Sequence, residues 1–286
     1  TLATLDDAEK KVEQKKIKAQ TKLAANKNNR IKKRVFVVNF NGDLAATEVD
    51  NLREEITAIL SIASKRDEVV VRLESSGGMV QSYGLASSQL DRIRKEKIKL
   101  TVCVDKVAAS GGYMMACVGD KILAAPFAII GSIGVVAQMP NFNRFLKKHN
   151  VDFELLTAGE HKRTLTMFGK NTEKGRQKFI QELNDINELF KDYVSNRRSK
   201  IDIDTIASGE VWFGSKAKDL SLIDEISTSD EYLSACIRTA KVFEVVLVKK
   251  KTVFQRIGNS VETSMTRIGE KLSLIHISEP TRPAII

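Results

Sequence analysis

Residues 68–80 read EVVVRLESSGGMV, and their reading decides the fold. Val69, Val70, Val71 and Leu73 make an apolar run of strand length, the pattern of a strand covered on both faces. A Ser-Ser-Gly-Gly turn stops that strand at about Glu74, and a small-residue helix follows through Leu90 and Ile93. Working outward, VFVVNF at 35–40 is another buried strand, and VDNLREEITAILSIAS at 49–64 puts Val49, Leu52, Ile56, Ile59 and Leu60 on one helical face. KLTVCVD at 99–105 is a third strand, with KILAA at 121–125 and GVVAQM at 134–139 as fourth and fifth. Strands alternating with helices in this order predict right-handed βαβ crossovers, an α/β class and a mostly parallel sheet.

After VDFELLT at 151–157 the composition changes. Residues 173–197 predict a long amphipathic helix with Phe179, Ile180, Leu183, Ile186, Leu189, Phe190 and Tyr193 at helical spacing, a face for core or subunit interface. A short helix near 204–208, a helix at about 230–241 and a last strand in FEVVLVK complete a helical C-terminal part. One domain is expected over 35–248, after a polybasic linker at 1–34 and before an extension at 249–271. The last residues, 272–286, begin LSLIHISEPTR, which resembles the read-through translation of a sequencing-library adapter. They are set aside from the fold, and His276 is given no role.

The net charge of +10 suggests a nucleic-acid partner until it is located. Eleven of the 46 Lys and Arg fall within residues 10–34 beside the single acid Glu13, and outside that segment 35 basic and 35 acidic residues balance. The excess therefore belongs to the linker. A solvated helix is its default reading, a segment lying against anionic lipid comes next, and no basic groove interleaved with aromatics supports nucleic acid. No apolar run reaches the about eighteen residues of a membrane span, and no secretory signal is visible. The chain opens on Thr1 rather than Met, so a preceding segment holding a membrane anchor is expected. Cys103, Cys117 and Cys236 form no CxxC and are expected to be reduced thiols; with three His, no metal site is expected.

Chemistry concentrates in VDKVAASGGYMMACVGD at 104–120. Ser110 follows a small-residue strand and opens a short helix that Gly119 ends. Helix N-termini present unpaired N–H groups, so an oxyanion formed beside Ser110 would be stabilised there. Gly111 lets a carbonyl approach the backbone, and Gly77 or Gly78 at the neighbouring strand end can donate from the other side. Both glycine turns lie at carboxyl ends of strands, where open parallel sheets bind ligands. The plain alternative is an N-cap serine among turn glycines, and the local motif leaves the two readings near balance.

ESSGGMV, VDKVAASGGYMMA, GSIGVVAQMPNFNRFL, TAGEHKRTLT and LIDEI, in that order, resemble the SohB branch of the signal peptide peptidase A family of Ser/Lys serine proteases. The resemblance implies the ClpP/crotonase-like fold, with Ser110 as nucleophile and Lys162 as general base. It further implies that Ser132 orients the lysine and that an oxyanion hole is formed by Gly111 with Gly77 or Gly78, with no cofactor and no metal. It implies peptide or unfolded membrane-associated protein substrates, small or aliphatic residues before the cut, a homo-oligomer with the lysine contributed by the same or a neighbouring subunit, and a place at the bacterial inner membrane, on either side. Where the family has proline before the two glycines this chain has Ser76, which predicts a less rigid hole. A lysine ordinarily titrates near about 10.4, so Lys162 needs about 4 kcal/mol of burial or charge effects to act as a base near neutral pH. His161 ranks behind it. A crotonase-like acyl-CoA enzyme and a catalytically silent scaffold stand as alternatives. The first needs no serine at 110, and the second makes Ser110 dispensable.

Overall fold

The structure, a computed structural model, describes residues 33–159 and 161–248. The linker through residue 32, the whole 249–271 extension and the 272–286 tail lie outside the described residues. Nine strands and eight helices are described: β1 (Arg34–Gly42), α1 (Val49–Ile62), β2 (Glu68–Ser75), α2 (Val80–Lys95), β3 (Lys99–Val104), β4 (Val107–Ala109), α3 (Gly111–Ala116), β5 (Lys121–Ala124), β6 (Ile129–Gly131), α4 (Asn143–Lys148), α5 (Glu173–Ser195), α6 (Ile203–Ile206), β7 (Val211–Phe213), α7 (Gly214–Asp219), β8 (Glu225–Ile226), α8 (Ser229–Thr239) and β9 (Lys241–Glu244).

Every ladder is parallel except β6 with β7. The stretch that decided the reading is the hub. β2 pairs with β1 over its whole length, with β3 from Glu68 to Arg72, and at its last residue, Ser75, with Ala108 of β4. The β4–β6–β7 arm thus departs from the carboxyl end of β2, which carries the chain from the main sheet to the Ser110 turn. Alternate side chains of β1, β2 and β3 (Phe36, Val38, Val69, Val71, Leu100, Val102) face Leu52, Ile56 and Ile59 of α1 and Leu90 and Ile93 of α2. The opposite side chains (Val35, Val37, Val70, Cys103) meet α8 through Leu233 and Cys236. Burial on both faces is why β2 reads as a continuous apolar run.

Two expected strands differ. GVVAQM at 134–139 carries no strand; the strand is β6, which starts five residues earlier at Ile129 and where Gly131 must approach Trp212 closely enough that a Cβ would meet its ring at 2.7 Å. Val136 is 80% exposed, so the apolar run found no ladder and lies on the surface. The last strand spans Lys241–Glu244 rather than FEVVLVK, and its ladder is with Arg34–Val37 of β1 alone. On α5, Phe190 and Val194 are buried, whereas Ile180 and Leu189 are exposed. The amphipathic face is thus only partly spent on this chain's core. Cys103 and Cys117 are buried free thiols that burial pushes up to about 12, so both stay protonated.

The amino ends of the strands are tied by Glu68. Its buried carboxylate accepts from Lys33 Nζ, Thr101 Oγ1, Tyr232 Oη and Lys99 Nζ. Burial pushes this carboxyl up, but those four donors outweigh it and hold it at about 2. The folded value lies below the ordinary 4.5, so the stabilisation is complete above that value and is lost as pH falls toward about 2. Glu68→Gln is therefore expected to cost roughly 2–3 kcal/mol near neutral pH. The gap from wild type should hold from pH 6 to about pH 5 and narrow steadily as Tm is followed down toward about pH 2; a gap independent of pH would contradict the assignment.

Candidate active site

The Ser110 turn is made by crowding. β4 delivers the chain between β2 and β6, and α3 must start at once to bury Tyr113 and Met115. Ser110 absorbs the change of direction with φ +52° and ψ −119°, a conformation ordinarily reserved for glycine and costing about 1–3 kcal/mol. It is held by Ser110 N–H donating to Gly131 O at 2.8 Å and Met114 N–H donating to Ser110 O at 2.9 Å. A sharp strand-to-helix turn of this kind lifts a side chain clear of the sheet end. Ser110 occupies the N-cap position of α3, yet its side chain makes no cap hydrogen bond. The plain N-cap reading therefore lacks the bond that defines it.

Gly77, at φ +89°, lies against this turn, where an added Cβ would meet Gly111 N at 2.7 Å and Ser110 Cβ at 2.8 Å. Only glycine fits both the angle and the approach. Gly77 N–H donates to Ser75 Oγ at 3.0 Å, so it is already committed. Among the described residues, the N–H groups of Gly78 and Gly111 have no acceptor within the chain. Gly78, Ser110 and Gly111 line one narrow cleft, whose remaining wall is apolar and includes Val80, Met114, Val135, Ile186 and Phe190.

Ser132 follows β6, beside Ser110 through the Ala109–Gly131 register. It too has positive φ, +51°, and its N–H donates to Glu210 O at 2.6 Å. Five of the six residues singled out from sequence thus gather at the carboxyl ends of β2, β4 and β6. Lys162 does not line the cleft: it is exposed on the turn that follows Gly159, its N–H donating to Gly159 O at 3.2 Å. The expected burial of this lysine is absent from the single chain, because the segment from 149 to 171 carries almost no regular structure and packs few side chains inward. The apolar cleft wall and the Tyr83–Ser75 pair beneath the glycines escaped sequence reading; an aromatic at position 83 among small residues was the one visible signal. Among the described residues there is no cluster able to hold a metal, and no helix long and apolar enough to cross a membrane.

A strained serine beside unpaired backbone donors, at the carboxyl ends of parallel strands, is the equipment of hydrolases that work by acyl transfer. Sequence comparison narrows the class. Residues 92–242 match peptidase family S49 and residues 1–90 match the N-terminal region of peptidase family S49, so the chain belongs to that family and is a peptidase. It is 56% identical over 239 residues to a probable protease SohB of Haemophilus influenzae, covering 84% of this chain and 68% of the relative. A probable protease SohB of Buchnera aphidicola is 54% identical over 240 residues, covering 84% of this chain and 71% of the relative. Among solved structures, a membrane-bound stomatin-specific protease, a mutant in complex with a substrate peptide, superposes with a TM-score of 0.49 at 14% identity, over 80% of this chain and 99% of that one.

Proposed function

We propose that the protein is a serine endopeptidase that cleaves peptides or unfolded membrane-associated segments through a Ser110 acyl-enzyme, with Lys162 as general base. The observation that carries this reading is Ser110 itself, held at φ +52° without a capping bond and sharing one cleft with Gly78 and Gly111, whose N–H groups have no acceptor among the described residues. Lys162 Nζ takes the hydroxyl proton as Ser110 Oγ attacks the peptide carbonyl. The two N–H groups receive the oxyanion, the ammonium returns the proton to the leaving amine, and water repeats the cycle on the ester. Ser132 accepts the role of orienting the lysine, one strand away. Nothing in these steps calls for a metal or cofactor.

Lys162 needs a cover, and its own segment supplies a reason for one. Val136, Phe142, Phe145, Leu155 and Leu156 are exposed between residues 135 and 157, with Leu189 exposed on α5. Surfaces of this kind mark subunit contacts. A homo-oligomer would bury the 149–171 segment and bring Lys162, from the same or a neighbouring subunit, over Ser110. The polybasic 10–34 stretch suits an anionic membrane surface, in keeping with a place at the bacterial inner membrane.

The cleft wall predicts specificity. Val80, Met114, Ile186 and Phe190 would receive a small or aliphatic side chain before the cut. Peptides with Ala or Leu there should be cleaved about 10²-fold better in kcat/KM than those with Asp or Lys, whose charge would be stripped of water. Ile186→Ala should shift preference toward larger apolar side chains. Fluorogenic peptide panels test both, and a preference for charged residues would contradict the site.

A further inference from the structure

We infer that Tyr83, together with Ser75, is a positioning residue that holds both backbone donors of the Ser110 site in place; this rests on the acyl-transfer reading above. Tyr83, on the first turn of α2, is wholly buried. Its Oη lies 2.7 Å from Asp43 O and 2.5 Å from Ser75 Oγ, and Ser75 Oγ receives Gly77 N–H at 3.0 Å. Proton accounting gives the chain one direction. A carbonyl only accepts, so Tyr83 O–H donates to Asp43; Ser75 O–H then donates to Tyr83 Oη, which leaves a Ser75 lone pair for Gly77 N–H. The one competing acceptor for Ser75, Gly42 O, is more distant at 3.4 Å.

The surrounding chain is shaped around this relay. The β1–β2 register sets Gly42 beside Ser75, and a Cβ on Gly42 would fall on both the Tyr83 and Ser75 oxygens. On the far side of the turn, Met79 N–H donates to Leu44 O at 2.8 Å. The 75–79 loop is therefore fastened to the 42–44 turn at both ends, with Gly78 between and its N–H left for substrate. The same tyrosine supports the second donor, because a Cβ on Gly111 would fall on the Tyr83 ring. Oxygen and ring thus brace opposite sides of the oxyanion site. The relay supplies the rigidity that Ser76, with no ring to restrict φ, does not.

Tyr83→Phe and Ser75→Ala test this in the full-length assembled protein, with rates divided by the fraction of Ser110 labelled at completion by a fluorophosphonate. Each is expected to lower kcat about tenfold with KM within about twofold, and to weaken a peptide aldehyde, which forms an oxyanion on Ser110, by the same factor. The affinity of a product peptide should not move. The double variant should lose no more than the worse single, since both break one chain of bonds. Variants that lose Tm but keep kcat and aldehyde affinity would overturn the inference, as would aldehyde and product affinities falling together. Hydrolysis that survives in the Ser110→Ala variant would overturn the acyl-transfer reading itself, and that control distinguishes the two failures.

Discussion

Ser110→Ala is expected to abolish peptide hydrolysis, lowering turnover by at least about 10⁴-fold while leaving the fold intact. The two readings of this serine make opposite predictions. An N-cap serine contributes through a bond from its Oγ to the next turn, and removing it costs about 1 kcal/mol of stability with activity retained. Ser110 makes no such bond, so Ala should leave Tm nearly unchanged. The backbone strain at φ +52° is common to Ser and Ala, and neither relieves nor worsens in the variant. Chemistry should thus vanish where stability does not move. Thermal melts and fluorogenic peptide assays on the same preparation measure both, and a silent-scaffold protein would show neither change.

Lys162→Ala should be the second largest effect, a loss of about 10³-fold in kcat. The side chain is exposed in the single chain, so its removal is not expected to disturb folding. Lys162→Arg should be as inactive as Ala, because a guanidinium does not give up its proton and cannot serve as a base. The same dependence on assembly follows: dilution or surface substitutions that separate subunits, such as Phe145→Asp, should silence the enzyme without touching Ser110. Activity retained by a separated subunit would mean that the base reaches Ser110 within one chain.

The main sheet was legible because its strands are covered on both faces. Burial of Val69, Val70 and Val71 between α1, α2 and α8 writes itself into the sequence as an unbroken apolar run. The Ser110 turn was legible for a related reason: close approach of Gly77 to Gly111 leaves room for nothing larger. GVVAQM misled because apolar side chains suit a strand and an exposed contact surface equally, and only a ladder partner separates them. The Tyr83 relay was invisible because it depends on the β1–β2 register, which sets Gly42 beside Ser75 across 33 positions of chain. The placement of Lys162 was beyond reach for another reason: the burial that makes a lysine a base is a property of what packs over it.

The most direct test is mass-spectrometric mapping of a fluorophosphonate adduct on the assembled full-length protein, wild type beside Lys162→Ala. The account predicts one adduct, on Ser110, formed quickly in wild type and about 10³-fold more slowly without Lys162. An adduct on another residue, or labelling of Ser110 at an unchanged rate in the lysine variant, would contradict it.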